Sequence, residues 1–282
     1  TPLLYLFEDW EIDWLTEKEN RGLLANDYIR NVFDDLDSVN PEKVYDLVIN
    51  LEDDEPFVAT VISRIRFLKI FGSYADGEKK IRYTSNSSEW FDMGLISTYG
   101  IQAANEIKLK NRSSYQEIIF RCLGFVFEGE NYVLPKDIPG SELKGDIAIA
   151  PRAGQRWPIK NWHYFEELIN ALSKDYRVNV LPTRKTILEH IADIKGHRFV
   201  ISLDSLPMHI ALGLGIPCLA IFTCTSPWEI YDYNLLTKVV SPKLRQYFYS
   251  REFSEDAVKC IPYEQVYSLT IEQLRLHRVG SI

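Results

Sequence analysis

The sequence predicts an α/β protein of two Rossmann-like halves, each a parallel sheet with helices on both faces, joined by a linker and facing a cleft. Three observations predict it. Apolar runs of strand length alternate with amphipathic segments from residue 12 to about 71, and again from 146 to the end. Between these tracts, Gly124, Gly129, Pro135, Pro139, Gly140 and Gly145 mark a boundary. Near the C-terminal end, Phe199 to Phe222 reads as strand, polar turn, helix, glycine stop, strand, the unit from which parallel sheets are built. The predicted boundaries are 1–125 for the N-terminal half, 126–145 for the linker and 146–282 for the C-terminal half.

In chain order, Ile12 to Leu15 is a short strand, and Thr16 caps a helix running to about Ala25. Tyr28 to Phe33 and Tyr45 to Leu51 are strands, the second followed by a helix through Ile65. Phe67 to Phe71 is a further strand. A polar tract from Gly72 to Met93 holds a hairpin turn at 75–77. Helices are predicted at 96–108 and 112–123, the second with Tyr115, Ile118, Ile119 and Cys122 on one face. After the linker come a strand at Asp146–Ala150 and a helix opened by Pro158, with Phe165, Leu168, Ile169 and Leu172 on its inner face. A strand at 178–181, a helix at 186–195 and a strand at 199–203 follow. The chain then runs through the polar turn and its helix, a strand at 216–222, a short strand at Val239-Val240 and a terminal helix from Ile261 to Leu276.

Composition narrows the function. The 282 residues are 46% hydrophobic and 13% aromatic, enough for a sizeable core, with a net charge of −8. Residues 1–55 hold 16 acidic against 4 basic side chains, so the remainder is mildly positive. The acidic start argues against general nucleic-acid binding, and the basic remainder suits a phosphate-bearing small molecule. Cys122, Cys218, Cys224 and Cys260 have neither disulfide nor zinc spacing, which fits a reducing cytoplasm. No apolar run is long enough to span a membrane. Thr-Pro-Leu-Leu-Tyr-Leu, where the sequence starts, reads as the inside of an element, and a preceding N-terminal segment is expected.

Two turns carry the candidate chemistry. In the first, Asp204 and Ser205 sit where a helix N-cap belongs, Pro207 suits the first turn, and His209 follows. A helix start after a parallel strand offers free N–H groups to an anion. An ordinary capped helix with a surface histidine fits the same residues. In the second turn, Ala150 to Trp162, Gly154 permits close backbone approach, and Arg156 and Lys160 can neutralise phosphates, with Gln155 and Trp157 between them. Thr223, Thr225 and Ser226, after the last strong strand, can contact sugar or base, or form a structural loop. The run Tyr247 to Phe253, with Arg245 and Arg251, either faces the cleft or packs the terminal helix. Asp53 and Asp54 read as solvated carboxylates, and Cys224 as structural.

The order strand, x-P-x-A-G-x-R-W-P, helix, then strand, D-S-x-x-M-H-x-A-x-x-x-G-I-P, strand resembles the C-terminal half of glycosyltransferase family 9, the ADP-heptose:lipopolysaccharide heptosyltransferases and their relatives. Tyr45-Asp-Leu-Val-Ile-Asn-Leu resembles a strand of that family's N-terminal half, and Thr-Pro-Leu-Leu with Ile12 to Glu17 resembles its first helix and second strand. The resemblance implies the GT-B fold, with the acceptor bound by the N-terminal domain and a nucleotide-sugar donor by the C-terminal one. It implies that Asp204, Ser205 and His209 hold the donor diphosphate, with Arg156 contributing. It further implies inverting transfer of a sugar, heptose from ADP-heptose being the first candidate, to a bacterial glycan such as lipopolysaccharide core. No bound metal or resident cofactor is expected, the nucleotide-sugar being a co-substrate. A lipid-linked acceptor would bring the cytoplasmic protein to the inner membrane face.

Four departures qualify the resemblance. The family's catalytic aspartate lies in a Gly-Asp turn just ahead of Thr-Pro-Leu-Leu, so the base is expected upstream of Thr1 and no catalytic residue is assigned here. Leu206 replaces a glycine, and Gln155 a basic residue. The interval from Val178 to Val200 is short, leaving Pro182 to Lys185 or Glu189 to contact the nucleoside. Two alternatives follow: a non-catalytic nucleotide- or sugar-binding homologue, or a transferase with another donor and a non-lipid acceptor.

Overall fold

A computed structural model describes residues 1–93, 99–154 and 156–279. The chain divides into two compact units, one of residues 3–21 and 27–130, the other of residues 1–2, 22–26 and 131–282.

The first unit contains two parallel strand pairs. Strand β1 (Ile12–Leu15) pairs with β2 (Ile29–Phe33), and β3 (Val44–Asn50) with β4 (Arg66–Ala75), whose far end turns into the antiparallel β5 (Ile81–Tyr83). The two sets form separate sheets rather than one doubly wound sheet. Apolar runs identify strands but not which edges meet, so this separation was not readable from the sequence. Helix α1 (Glu55–Arg64) links β3 to β4. Its cap is Asp54, which accepts the Phe57 N–H, and Pro56 occupies the first turn, where no amide is missed. Helices α2 (Ser88–Asp92), α3 (Gly100–Lys110) and α4 (Tyr115–Cys122) follow. The start of the helix predicted at 96–108 falls among residues 94–98, outside the described residues. Ser114 and Glu117 close a capping box on α4, and Ile118, Ile119, Phe120 and Cys122 pack with Phe71 and Met93 as the core. Gly72 lies at φ +103°, where a Cβ would stand 1.8 Å from the Asn50 carbonyl oxygen, so β3 and β4 approach as closely as they do only because it is glycine.

Two predicted helices are tight 3-10 turns instead. Lys18–Leu24 contains Gly22, and Pro158–Lys160 is one turn that stops before the following α-helix. Gly124 to Asp146 form no helix or strand.

The second unit has one wholly parallel sheet. Its strands are β6 (Ile147–Ala150), β7 (Val178–Val180), β8 (Phe199–Leu203), β9 (Cys218–Phe222) and β10 (Leu236–Val240), in the order β10-β9-β8-β6-β7. Continuous burial of β6, β8 and β9 explains their uninterrupted apolar runs. Alternate residues serve opposite faces. Ile147, Ile149, Phe199, Ile201, Leu203, Leu219 and Ile221 pack against Trp162, α5 (Phe165–Leu172) and, further along the chain, Val266 and Leu274. Each such buried side chain stabilises the unit by roughly 1.5–3 kcal/mol. Helices α6 (Ile187–Lys195) and α7 (Leu206–Gly213) precede β8 and β9, and a short α8 (Glu255–Lys259), absent from the sequence reading, precedes the terminal α9 (Tyr263–Leu276). The chain leaves β6 for β7 on one side and returns to β8 on the other. The sheet's switch point, where open α/β sheets bind ligands, therefore lies at the carboxyl ends of β6 and β8.

Candidate functional site

Both anion-ready turns emerge at that switch point, one from β6 and one from β8. The β6 turn is folded by its own polar groups. The Asn161 side chain accepts the Ala153 N–H at 2.9 Å and donates to the Pro158 carbonyl at 3.2 Å. Ile159, fully buried with Cys224, Ala257 and Val258, anchors the segment. That anchor presents Lys160 to the β8 turn. Lys160 Nζ donates to the Asp204 carbonyl oxygen at 2.6 Å and to Asp204 Oδ2 at 2.8 Å. Thr225 Oγ1, from the loop after β9, donates to the same Oδ2 at 2.5 Å. The ends of three adjacent strands are thus tied through one carboxylate. The side chains of Lys160 and Asp204 are only 11% and 14% exposed, so each needs the other to offset its desolvation.

Ser205 occupies the N-cap of α7, but its side chain makes no capping bond. Its hydroxyl turns back to the Leu203 carbonyl and to Ser202 Oγ, each at 3.3 Å. Pro207 has no N–H, and the Met208 N–H is taken by the Ser205 carbonyl. The helix start therefore offers fewer free amides than its sequence suggested, and Lys160 becomes the principal donor at this turn. Leu206 at the first helical position is exposed.

His209 does not project freely from the turn. Its Nδ1 lies 2.9 Å from the Tyr132 hydroxyl, and Tyr132 packs in turn on Tyr233. Burial holds the His209 imidazole below the usual histidine range; Asp204 opposes that effect and Lys160 reinforces it. The ring is neutral near pH 7 and close enough to feel both charges. In the loop after β9, Thr223, Thr225 and Ser226 are all buried, and the Ser226 hydroxyl has no hydrogen-bond partner. Burial pushes the Cys224 thiol up to about 11, against smaller opposing effects of the Thr223 hydroxyl and Lys160, so it is inert as a nucleophile.

The structure thus brings Lys160, Asp204 and Thr225 into direct contact, with His209 beside them. Gly154 and Arg156 stand exposed on the β6 turn, and the Arg156 guanidinium lies 5.8 Å from the Trp157 ring centre. Gln155 lies outside the described residues. The sequence reading missed Tyr132 and left Tyr249 undecided, within a run that either faces the cleft or packs the terminal helix. The first reaches His209 from the stretch read as linker. The second packs edge-on against Trp157 at 5.5 Å. Both contacts span long stretches of chain, and only the aromatic density of Tyr247 to Tyr249 hinted at the second. Among the described residues, no three His, Cys, Asp or Glu side chains converge as a metal-binding group, and no helix is long and apolar enough to cross a membrane.

The model of the family described as "Glycosyltransferase family 9 (heptosyltransferase)" matches residues 164–255, a stretch that includes the β8 turn and the loop after β9. A family 9 glycosyl transferase from Veillonella parvula is 13% identical, with 98% of this chain and 92% of that one aligned at a TM-score of 0.63. The E. coli heptosyltransferase WaaC, solved with ADP, is 14% identical over 96% of this chain and 92% of its own, at a TM-score of 0.56. WaaC with ADP-2-deoxy-2-fluoro heptose aligns over 96% and 94% at 0.51. At such identities the likeness is one of fold. No curated protein matches the sequence significantly. Taken together, residues 164–255 resemble the family 9 glycosyltransferases, and nearly the whole chain shares the GT-B fold of solved members of that family.

Proposed function

We propose that this chain transfers a sugar from a nucleotide-sugar donor to a bacterial glycan acceptor. ADP-linked heptose is the first candidate donor and lipopolysaccharide core the first candidate acceptor. One observation carries the reading. Lys160, Asp204 and Thr225 lock the three strand ends together where an α/β sheet receives a phosphate-bearing ligand. An ammonium has three protons, and Asp204 takes two of those on Lys160. The third is free for a phosphoryl oxygen. Asp204, itself an anion, acts through Lys160 rather than on the phosphate. In the tautomer whose Nδ1 accepts from the Tyr132 hydroxyl, neutral His209 carries its proton on Nε2 and can donate it to the diphosphate. Arg156 adds an exposed positive charge, and the buried Ser226 hydroxyl suits a polar group of the donor.

In the reaction, an acceptor hydroxyl attacks the anomeric carbon while a carboxylate base takes its proton. The bond from that carbon to the diphosphate oxygen breaks, the configuration inverts, and the nucleoside diphosphate leaves with the electron pair. Lys160, Arg156 and His209 stabilise the charge that develops on it, so the proposed chemistry uses no metal or resident cofactor. The support for ADP is that E. coli WaaC, of the same fold, was solved with ADP and with an ADP-sugar. A lipid-linked acceptor would place the enzyme peripherally at the cytoplasmic membrane face.

Thermal denaturation with ADP, UDP or GDP tests the donor. Free ligand at about 100 times its Kd stabilises the native state by about 2.7 kcal/mol. We expect ADP to raise the melting midpoint of the wild type and to lose that effect in Lys160→Ala. No shift with any of the three at millimolar concentration would refute the nucleotide-sugar reading.

A further inference from the structure

A second arginine stands at the β6 turn that neither the turn's own sequence nor the family match explains. Arg251, exposed, brings its guanidinium carbon within 5.2 Å of the Trp157 ring centre, and Arg156 brings its own within 5.8 Å. The two cations are therefore no further apart than the sum of those distances, and neither forms an ion pair with a carboxylate among the described residues. Like charges gathered at one indole repel each other, so the stability of the apoprotein does not account for the arrangement.

The segment that delivers Arg251 is held in place firmly. Tyr249 sits at φ +52°, a left-handed conformation that a bulky residue adopts only at a cost. Its N–H donates to the Cys224 carbonyl at 2.8 Å, its hydroxyl donates to Glu229 at 2.8 Å, and its ring packs on Trp157. Glu229 is buried. The backbone is thus pinned to the loop that also supplies Thr225 to Asp204. Trp157 in turn belongs to the short turn that supplies Lys160, whose N–H donates to the Trp157 carbonyl at 3.0 Å.

We infer that Arg251 and Arg156, both held near the Trp157 ring, form an arginine pair that binds the donor's diphosphate together with Lys160. This rests on the nucleotide-sugar reading above. Guanidinium groups bind phosphoryl oxygens in a bidentate manner, and contact with an aromatic ring restricts their rotamers before the ligand arrives. The pair supplies the positive charge that Gln155 does not.

Isothermal titration at 0.15 M salt with ADP, inorganic pyrophosphate and adenosine tests the inference. The proteins to compare are the wild type, Arg251→Gln, Arg251→Lys and, as a control on the same segment, Arg245→Gln. We expect Arg251→Gln to weaken both ADP and pyrophosphate by about tenfold or more, equivalent to about 1.4 kcal/mol. Its salt dependence should be shallower, its adenosine affinity unchanged and its unliganded melting midpoint no lower. Arg251→Lys should recover only part of the loss, and Arg245→Gln should match the wild type. If the wild type binds ADP and Arg251→Gln binds it equally well, the inference fails while the donor reading stands. If Arg251→Gln instead melts lower and weakens adenosine equally, Arg251 is structural and the inference fails. If the wild type binds neither ADP nor pyrophosphate, the donor reading itself falls, and the inference with it.

Discussion

Removing the Lys160 ammonium while keeping its stem, as in Lys160→Met, should destabilise the second unit through the partner left behind. Asp204 would keep its Thr225 hydrogen bond but lose both contacts to Nζ, in a setting where its side chain is 14% exposed. Orphaning one member of a fully buried pair costs about 3–5 kcal/mol. The residual exposure here lowers that to about 2–3 kcal/mol. In a unit of this size, each kcal/mol moves the melting midpoint by about 2–4 °C, so a fall of about 4–12 °C is expected. The informative comparison is the double variant Lys160→Met with Asp204→Asn. The amide still accepts from Thr225, no charge is orphaned, and more than half of the lost stability should return. ADP binding should not return, because the cation is still missing. Guanidinium melts of the wild type, both single variants and the double variant give the coupling energy directly. If the two single effects simply add, or if Lys160→Met costs less than about 1 kcal/mol, the pair does not brace the site and the reasoning is wrong.

Two further outcomes concern His197 and Gly72. Burial holds the His197 imidazole below the usual histidine range, with Asp193 acting in the opposite direction. The unfolded chain therefore binds the proton first, and stability should be full above the ordinary histidine value of 6.5 and decline as pH falls below it. Urea melts between pH 7.5 and 5.5 should show a smaller decline in His197→Gln; an equal decline would clear His197. In the first unit, Gly72→Ala would meet the Asn50 carbonyl oxygen at a left-handed backbone. A loss of about 3 kcal/mol or more is expected by chemical denaturation, and a loss below about 1 kcal/mol would show that β3 and β4 can part without penalty.

The strands were legible where burial is continuous. Phe199 to Leu203 has the limits predicted for it, because an apolar run of that length bounded by polar residues has few other uses. Helix starts were legible where a side chain closes the cap, as at Thr186. Short turns were not. Pro158 is compatible with the first turn of any helix, and nothing in the next three residues says that the turn will stop. At the site, the residues were legible but their partners were not. Asp204 was recognisable as a turn residue at a parallel strand's end, yet its pairing with Lys160 joins positions 44 residues apart and depends on which strands are neighbours. Arg251 was harder still, because its place depends on the folding of an irregular segment around Tyr249.

The central position of β6 also has a consequence in time. Ile147 pairs with Val178 on one side and with Phe199 on the other, and both partners are made later. At about 5–20 residues per second, β8 is synthesised roughly 3–10 s after β6. Throughout that interval β6, apolar along its whole length, has at most the three-residue β7 beside it. The second unit should therefore be most exposed to misassociation while still attached to the ribosome. Its need for chaperones should ease once residues up to about 222 have emerged and β8 and β9 can cover that edge.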